Sequence, residues 1–255
     1  MSRVIPFEGI RNFRHFGGYS GRDGRKLREG LYRSGHFSRA TEADRKALAD
    51  LNITHVTDLR RPQEREREPS NWAEESGVYV LESDIAGHRE PPHLAFLREG
   101  DLSLSGIRDF MLSTYRRLPT DPGNKKVFAA GLRALGEVGT QGFVVHCAAG
   151  KDRTGIFCAL AQSLVGVGRD AINDDYLMTN IAVDYDRVVP EVAAGIEANY
   201  GRRIPDTEMR LFLGVDADYL DQAFGVIGDP RTYMRDELGL SEDELDAIER
   251  RLLVP

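Results

Sequence analysis

The chain has 255 residues, 41% hydrophobic and 29% charged, with a net charge of −7; this is the balance of a globular protein with a sizeable core and it speaks against general nucleic-acid binding. Two cysteines, Cys147 and Cys158, are too few for a secreted disulfide framework and point to a reducing, cytoplasmic setting. No apolar run approaches the ~18 residues of a membrane span, and the N-terminus lacks the apolar core of a secretory signal, so neither membrane insertion nor signal-led export is expected, while export by a route that reads no such signal stays open.

The length fits one domain over residues 1–255. Charge is unevenly spread along it. Residues 1–33 hold eight Lys/Arg against three Asp/Glu, and residues 170–255 hold eight Arg against twenty Asp/Glu. The acidic tail reads as solvated helix faces, whereas the basic stretch is placed to steer an anionic ligand if it lies near one. The glycines between Gly17 and Gly24 have neither the spacing of a dinucleotide fingerprint nor a following Lys-Ser/Thr, so turns are their expected use.

Thr41 followed by Asp44 predicts a capped helix start, with Ala43, Ala47, Leu48 and Leu51 on its buried side. Ile53 to Leu59 alternates as a strand, and Val78 to Leu81 predicts a second. The charge-rich, proline-bounded stretch 61–69 reads as a surface segment, and Trp72 as a packing residue. Residues 85–104 mix Gly, Pro and His and predict an irregular excursion; Ser105 to Leu118 then has the period of an amphipathic helix carrying Ile107, Phe110, Met111, Leu112 and Tyr115. A helix follows over Lys125 to Leu135. Gly142 to His146 is short and almost wholly apolar, the pattern of a buried central strand, and Thr154 to Val165 follows as an apolar helix. The last third reads as helical, with Ser241 to Glu244 as a capping box. Strands alternating with helices imply an α/β fold, a central mostly parallel sheet flanked by helices.

The chemistry lies between the buried strand and its helix, in His146-Cys147-Ala148-Ala149-Gly150-Lys151-Asp152-Arg153-Thr154-Gly155. A loop of this length can wind into a cup whose backbone N–H groups, from Ala148 through Thr154, converge on one anion. The helix N-terminus adds its positive end, and the Arg153 guanidinium can fork onto two phosphate oxygens. Gly150 permits the backbone angles of such a cup and Gly155 allows close packing. The same field favours the thiolate of Cys147, which is then placed for in-line attack on phosphorus. Lys151 adds positive charge at the mouth. No metal or cofactor is needed, and no cysteine–histidine spacing suits zinc. Cys158 reads as a core residue, with resolution of an oxidised Cys147 as its alternative use, and His146 as a group that holds the loop by hydrogen bonds.

This segment resembles the signature of the cysteine-dependent protein tyrosine phosphatases, in the form found in a bacterial branch that includes a secreted mycobacterial enzyme and phosphoinositide-active relatives. Asn12-Phe13-Arg14 with Gly17-Gly18-Tyr19, Leu31-Tyr32-Arg33-Ser34, Asp58-Leu59-Arg60 and Asp175 to Asn180 are similar to that branch's other motifs. The branch often has Asp where this chain has His15. The resemblance implies a tyrosine-phosphatase-like fold, a cysteinyl-phosphate intermediate, and a helical lid matched by about residues 85–118. It also implies a general acid. The chain has no Trp-Pro-Asp loop, and the resemblance offers Asp152, inside the loop, and Asp84, after the second strand. Phosphotyrosine, with phosphoserine or phosphothreonine beside it, is the expected substrate. Phosphoinositides or inositol phosphates are the alternative, favoured by Lys151 and the basic N-terminal stretch. A phosphate-binding module without turnover is the remaining reading, against which intact Cys147, Arg153 and Asp152 speak.

Overall fold

The computed structural model describes residues 2–87 and 91–255; residues 1 and 88–90, and the side chains of Asn71 and Glu74, lie outside the description. The N-terminal part supplies β1 (Arg14–His15), β2 (Lys26–Leu27), β3 (Leu31–Ser34), α1 (Glu42–Ala49) and β4 (Ile53–Asp58). α1 starts as predicted: Thr41 Oγ1 accepts the Asp44 N–H and the Asp44 carboxylate accepts the Thr41 N–H. Next come α2 (Pro62–Arg67), α3 (Asn71–Ser76), β5 (Tyr79–Glu82), α4 (Pro92–Glu99), α5 (Leu104–Arg117) and α6 (Pro122–Gly136). β6 (Gly142–His146) leads into α7 (Asp152–Leu164). The remainder is α8 (Arg169–Leu177), α9 (Thr179–Ala182), α10 (Tyr185–Tyr200), α11 (Asp206–Leu213), α12 (Ala217–Ile227), α13 (Pro230–Asp236), α14 (Glu242–Leu252) and β7 (Leu253–Val254).

The five-stranded sheet has the order β1-β3-β6-β4-β5, with β3, β4, β5 and β6 mutually parallel and β1 antiparallel at one edge. β6 is central because all of it is buried and apolar enough to be covered on both faces. Phe143 and Val145 point into a core shared with Phe128, Phe157 and Leu160, while Val144 points into a second cluster with Leu48, Val56 and Trp72. Trp72 packs on Phe37 at 4.9 Å between ring centroids, in keeping with its reading as a packing residue. The registers bring Ser34, Asp58, Glu82 and His146 into one row at the C-terminal ends of the parallel strands. In an open parallel sheet this edge carries the ligand site, since the loops that leave it converge there. β2 pairs with β7, Leu27 opposite Leu253, so the C-terminal strand is tied to the N-terminal part.

Three segments differ from expectation. The stretch 61–69 contains a helix: Pro62 stands at its first turn, where no N–H is missed, and Glu64 accepts the Arg61 N–H at 2.7 Å. Residues 85–104 contain α4, also started by a proline, Pro92; the part of that excursion at 88–90 lies outside the described residues. The segment matched to a lid ends in α5, but α5 is built into the core. Its Ile107, Met111 and Tyr115 are buried, and it packs along α11 and α12. A third cluster joins Leu97 of α4 to Val189 and Ile196 of α10 and Met209 of α11, and Phe96, Phe110 and Phe212 stack across α4, α5 and α11. Among the described residues no helix is long and apolar enough to cross a membrane.

Candidate active site

Cys147 follows β6 directly and is 2% exposed. Gly150 has φ +69, and a Cβ there would lie 2.3 Å from the Ser34 carbonyl, so only glycine fits. A Cβ at Gly155 would lie 2.8 Å from the Tyr176 ring, which sets how closely α7 meets α8. Three carbonyls of the loop, those of Ala148, Ala149 and Gly150, turn to partners outside it. Ala148 O accepts the His36 N–H at 3.2 Å. Ala149 O and Gly150 O accept Asn12 Nδ2 at 3.1 and 3.0 Å, and Gly150 O also accepts Arg33 Nη2 at 3.2 Å. A trans peptide plane sets each C=O opposite the next N–H. The N–H groups of Ala149, Gly150 and Lys151 therefore turn inward, as an anion cup requires.

Beneath the loop lie Asn12, Arg14, Arg33 and Asp175, all buried. Arg33 Nη1 donates to Asp175 Oδ2 at 2.7 Å. Arg14 donates to Asp175 O and Thr179 Oγ1, each at 3.1 Å, and to Asn12 Oδ1. Burial and the like charge of Arg33 hold Arg14 down to about 9, still charged at neutral pH. Asp175 takes both guanidiniums, Arg33 on its carboxylate and Arg14 on its backbone carbonyl, so two positive charges face one negative charge under the loop. Asn12 has φ +60, a conformation that asparagine tolerates better than most residues. Here it lets one amide hold two loop carbonyls while its oxygen takes Arg14.

Arg153 forks onto Glu64, Nη1 to Oε2 at 2.6 Å and Nη2 to Oε1 at 2.7 Å, and Nη1 also donates to Leu59 O at 3.0 Å. Both side chains are mostly buried, 16% and 17% exposed. Burial works against the Glu64 carboxylate, but Arg153 and the Arg61 N–H outweigh it and bring the group down to about 2. Asp58 takes Arg60 side-on, with Nη2 to Oδ2 at 2.7 Å, and His146 Nε2 lies 3.7 Å from the same oxygen. Burial brings His146 down to about 4 against the pull of Asp58, so it is neutral at pH 7, and its Nδ1 lies 3.3 Å from Cys147 O.

Asp152 opens α7 with its side chain a quarter exposed. Its Oδ1 accepts the Tyr115 O–H at 2.6 Å, and Tyr115 in turn accepts the Tyr176 O–H at 2.5 Å. Burial, with Asp152 adding to it, pushes both phenols above their ordinary range, so both stay donors. Lys151 is buried, and its Nζ donates to Phe212 O at 2.8 Å and Gly214 O at 3.1 Å. It thus ties the loop to the C-terminal end of α11, whose carbonyls favour a cation. Thr154 is fully buried, and among the described residues its Oγ1 has no hydrogen-bond partner.

A model of the tyrosine phosphatase family matches residues 5–254. The chain belongs to the tyrosine phosphatase family. It is a phosphatase, a hydrolase of phosphate monoesters. A predicted tyrosine-protein phosphatase of Cupriavidus necator is 30% identical over 249 residues, 94% of this chain and 86% of that protein. The triple specificity protein phosphatase PtpB of Mycobacterium tuberculosis is 32% identical over 267 residues, 89% of this chain and 92% of that protein. Among solved structures, the core catalytic domain of the PP-IP phosphatase SIW14 from S. cerevisiae, in complex with citrate, matches at TM-score 0.39 and 18% identity, over 79% of this chain and 99% of that one.

In this phosphatase Cys147, Ala148, Ala149, Gly150, Asp152, Arg153 and Thr154 stand together in one loop and helix start. Asp84 follows β5; its side chain is four-fifths exposed, and its carboxylate is taken by Lys126 of α6. Lys151, expected at the mouth, has its Nζ on Phe212 O and Gly214 O and 3.5 Å from Asp152 Oδ1. His15, on the edge strand, packs on Tyr32 at 4.9 Å. Cys158 is fully buried on α7, and burial pushes its thiol up to about 12, in keeping with a core residue. Sequence reasoning missed Glu64, read as part of a surface segment, and the Tyr115 hydroxyl, read only as part of an apolar stripe. The glutamate three residues after Arg61 and just past Pro62 was the available signal for a helix start. For Tyr115 there was none, because its partner Asp152 is remote in the chain.

Proposed function

We propose that the chain hydrolyses phosphomonoesters through a cysteinyl-phosphate on Cys147. The Cys147 thiolate attacks phosphorus, the S–P bond forms and the bond to the leaving oxygen breaks. Asp152, through the oxygen not engaged by Tyr115, gives its proton to that oxygen. Water then attacks phosphorus, the S–P bond breaks, and Asp152 takes the proton from water, releasing phosphate and restoring the thiolate. Arg153 and the inward N–H groups meet the charge that develops on the equatorial oxygens. The observation that carries this reading is the outward turn of the Ala148, Ala149 and Gly150 carbonyls, which leaves a preorganised cup above Cys147. Asp84, held by Lys126, is the weaker candidate for the acid.

Phosphotyrosine on proteins is the proposed substrate, with phosphoserine and phosphothreonine accepted beside it. PtpB is described as a triple specificity protein phosphatase, and that breadth is carried to this chain as part of the proposal. The two free thiols make a reducing compartment, the cytoplasm, the setting of the reading. The test is Cys147→Ser, assayed with nitrophenyl phosphate for turnover and by calorimetric titration with a phosphotyrosine peptide for binding. Turnover should fall to background while binding persists, because Arg153 and the loop remain. Turnover within about tenfold of wild type, a change of about 1.4 kcal/mol in the barrier, overturns the mechanism.

A further inference from the structure

Behind Asp152 stand two buried hydroxyls to which the reaction as proposed gives no task. Tyr115 of α5 is fully buried and Tyr176 of α8 is 1% exposed. They form a chain of two bonds, Tyr176 O–H to Tyr115 at 2.5 Å and Tyr115 O–H to Asp152 Oδ1 at 2.6 Å. Lys151 Nζ lies 3.5 Å from the same oxygen. Among the described residues no donor takes Oδ2. The two oxygens of this carboxyl are therefore unlike: one is held by groups from the protein, and the other belongs to the side on which Asp152 is a quarter exposed.

Packing explains the two rings but not their oxygens. The Tyr115 ring lies 5.6 Å from that of Tyr219 and 6.2 Å from that of Tyr176 between centroids, and a Cβ at Gly155 would touch the Tyr176 ring. Phenylalanine would make the same contacts, and it carries no hydroxyl that must find a partner when buried. The chain of hydroxyls also has a direction. Burial keeps both phenols protonated. Tyr176 donates to the Tyr115 oxygen, so the single Tyr115 proton goes on to Asp152. A carboxyl proton on Oδ1 would face that donor, whereas one on Oδ2 would not. The same bond fixes a carboxyl torsion that is otherwise broad and roughly two-fold.

We infer that Tyr115 is a positioning residue for the general acid: by holding Oδ1 it turns Oδ2, with the proton to be given up, toward the leaving oxygen, and Tyr176 sets the direction of the Tyr115 hydroxyl. The inference rests on the reading of Asp152 as the proton donor. Tyr115 then acts only through Asp152. Its loss is felt by leaving groups that need a proton and spared by those that do not. A residue that merely held α5 or α7 in place would affect all leaving groups alike.

The experiment measures kcat/KM on phenyl and nitrophenyl phosphates for the whole chain, Tyr115→Phe, Tyr176→Phe, Asp152→Asn and the double variant Tyr115→Phe/Asp152→Asn. Phenylalanine keeps each ring in place. The quantity read is the ratio of phenyl to nitrophenyl kcat/KM. The fraction of folded enzyme cancels in that ratio, so a variant that folds poorly still reports. Tyr115→Phe should lower the ratio about tenfold, part of the about 10²–10⁴-fold that a positioned proton donor supplies. Tyr176→Phe should lower it about threefold, because the bond to Asp152 remains but the Tyr115 hydroxyl is free to turn. Adding Tyr115→Phe to Asp152→Asn should change the ratio by less than about twofold, since no acid is left to place. A ratio within about twofold of wild type in both single phenylalanine variants overturns the inference. So does a further fall in the double variant, because Tyr115 would then act other than through Asp152. A ratio unmoved by Asp152→Asn removes the acid itself and the inference with it, a failure told apart from the others because it shows with both tyrosines intact.

Discussion

Replacing Glu64 with glutamine tests whether the Arg153 clamp is preorganised by the helix that the sequence hid. Glutamine keeps the size and one acceptor oxygen but loses the charge and one arm of the fork. The pair is 16% and 17% exposed, so little water replaces what is lost. The carboxyl is held at about 2 against an ordinary 4.5, a gap worth about 3 kcal/mol of folding free energy. Removing one partner of a largely buried pair costs a similar amount, about 3–5 kcal/mol. For a domain of this size the melting temperature should fall by about 6–12 °C at pH 7. Because the folded-state value is depressed, this contribution is present above pH 4.5 and is lost as pH falls toward 2. The difference in melting temperature between wild type and Glu64→Gln should therefore narrow once pH drops below about 5. Activity should fall with it. An unforked guanidinium samples other rotamers, and kcat/KM on nitrophenyl phosphate should drop about ten- to hundredfold, or about 1.4–2.8 kcal/mol. Scanning calorimetry at pH 7 and pH 4 with steady-state kinetics reads both effects. Melting within about 2 °C of wild type at pH 7, together with kcat/KM within about twofold, refutes the reasoning.

Arg153→Lys should lose about as much kcat/KM as Arg153→Ala, since lysine keeps the charge but not the fork that now spans Glu64; a loss below about tenfold in steady-state assays would show that the bidentate geometry is dispensable. Asp152→Asn should hurt alkyl phosphates more than phenyl phosphates and nitrophenyl phosphate least, because a poor leaving oxygen needs the proton most. Asp84→Asn, which only releases Lys126 at the surface, should leave a flat profile across the same series; the reverse pattern makes Asp84 the acid.

The reactive loop was legible because its information is local. A buried strand, a short loop with its glycines, and a helix start are all written within Gly142 to Gly155, and local backbone preference places Cys147 and Arg153 at the two ends of one turn. Periodicity likewise placed β4, β5, β6, α5, α6 and α7 to within a few residues. Short strands such as β1 and β3 escaped because two to four residues carry too little period, and they exist only through pairing with neighbours. The side chains that support the loop were legible as residues but not as partners. Asn12 meets Gly150 across 138 positions, Arg33 meets Asp175 across 142 and Arg153 meets Glu64 across 89. Parallel pairing of β3, β4 and β6 decides those meetings, because it lines up the strand ends from which the motifs depart. Lys151 is the clearest case of tertiary override. As a sequence it is a cation beside a phosphate cup, but the carbonyls of Phe212 and Gly214 at the end of α11 offer it buried acceptors, so its charge is shared between them and Asp152. Local chemistry thus determined which residues could react, and only the packing of remote helices decided which charges were left free to meet a substrate.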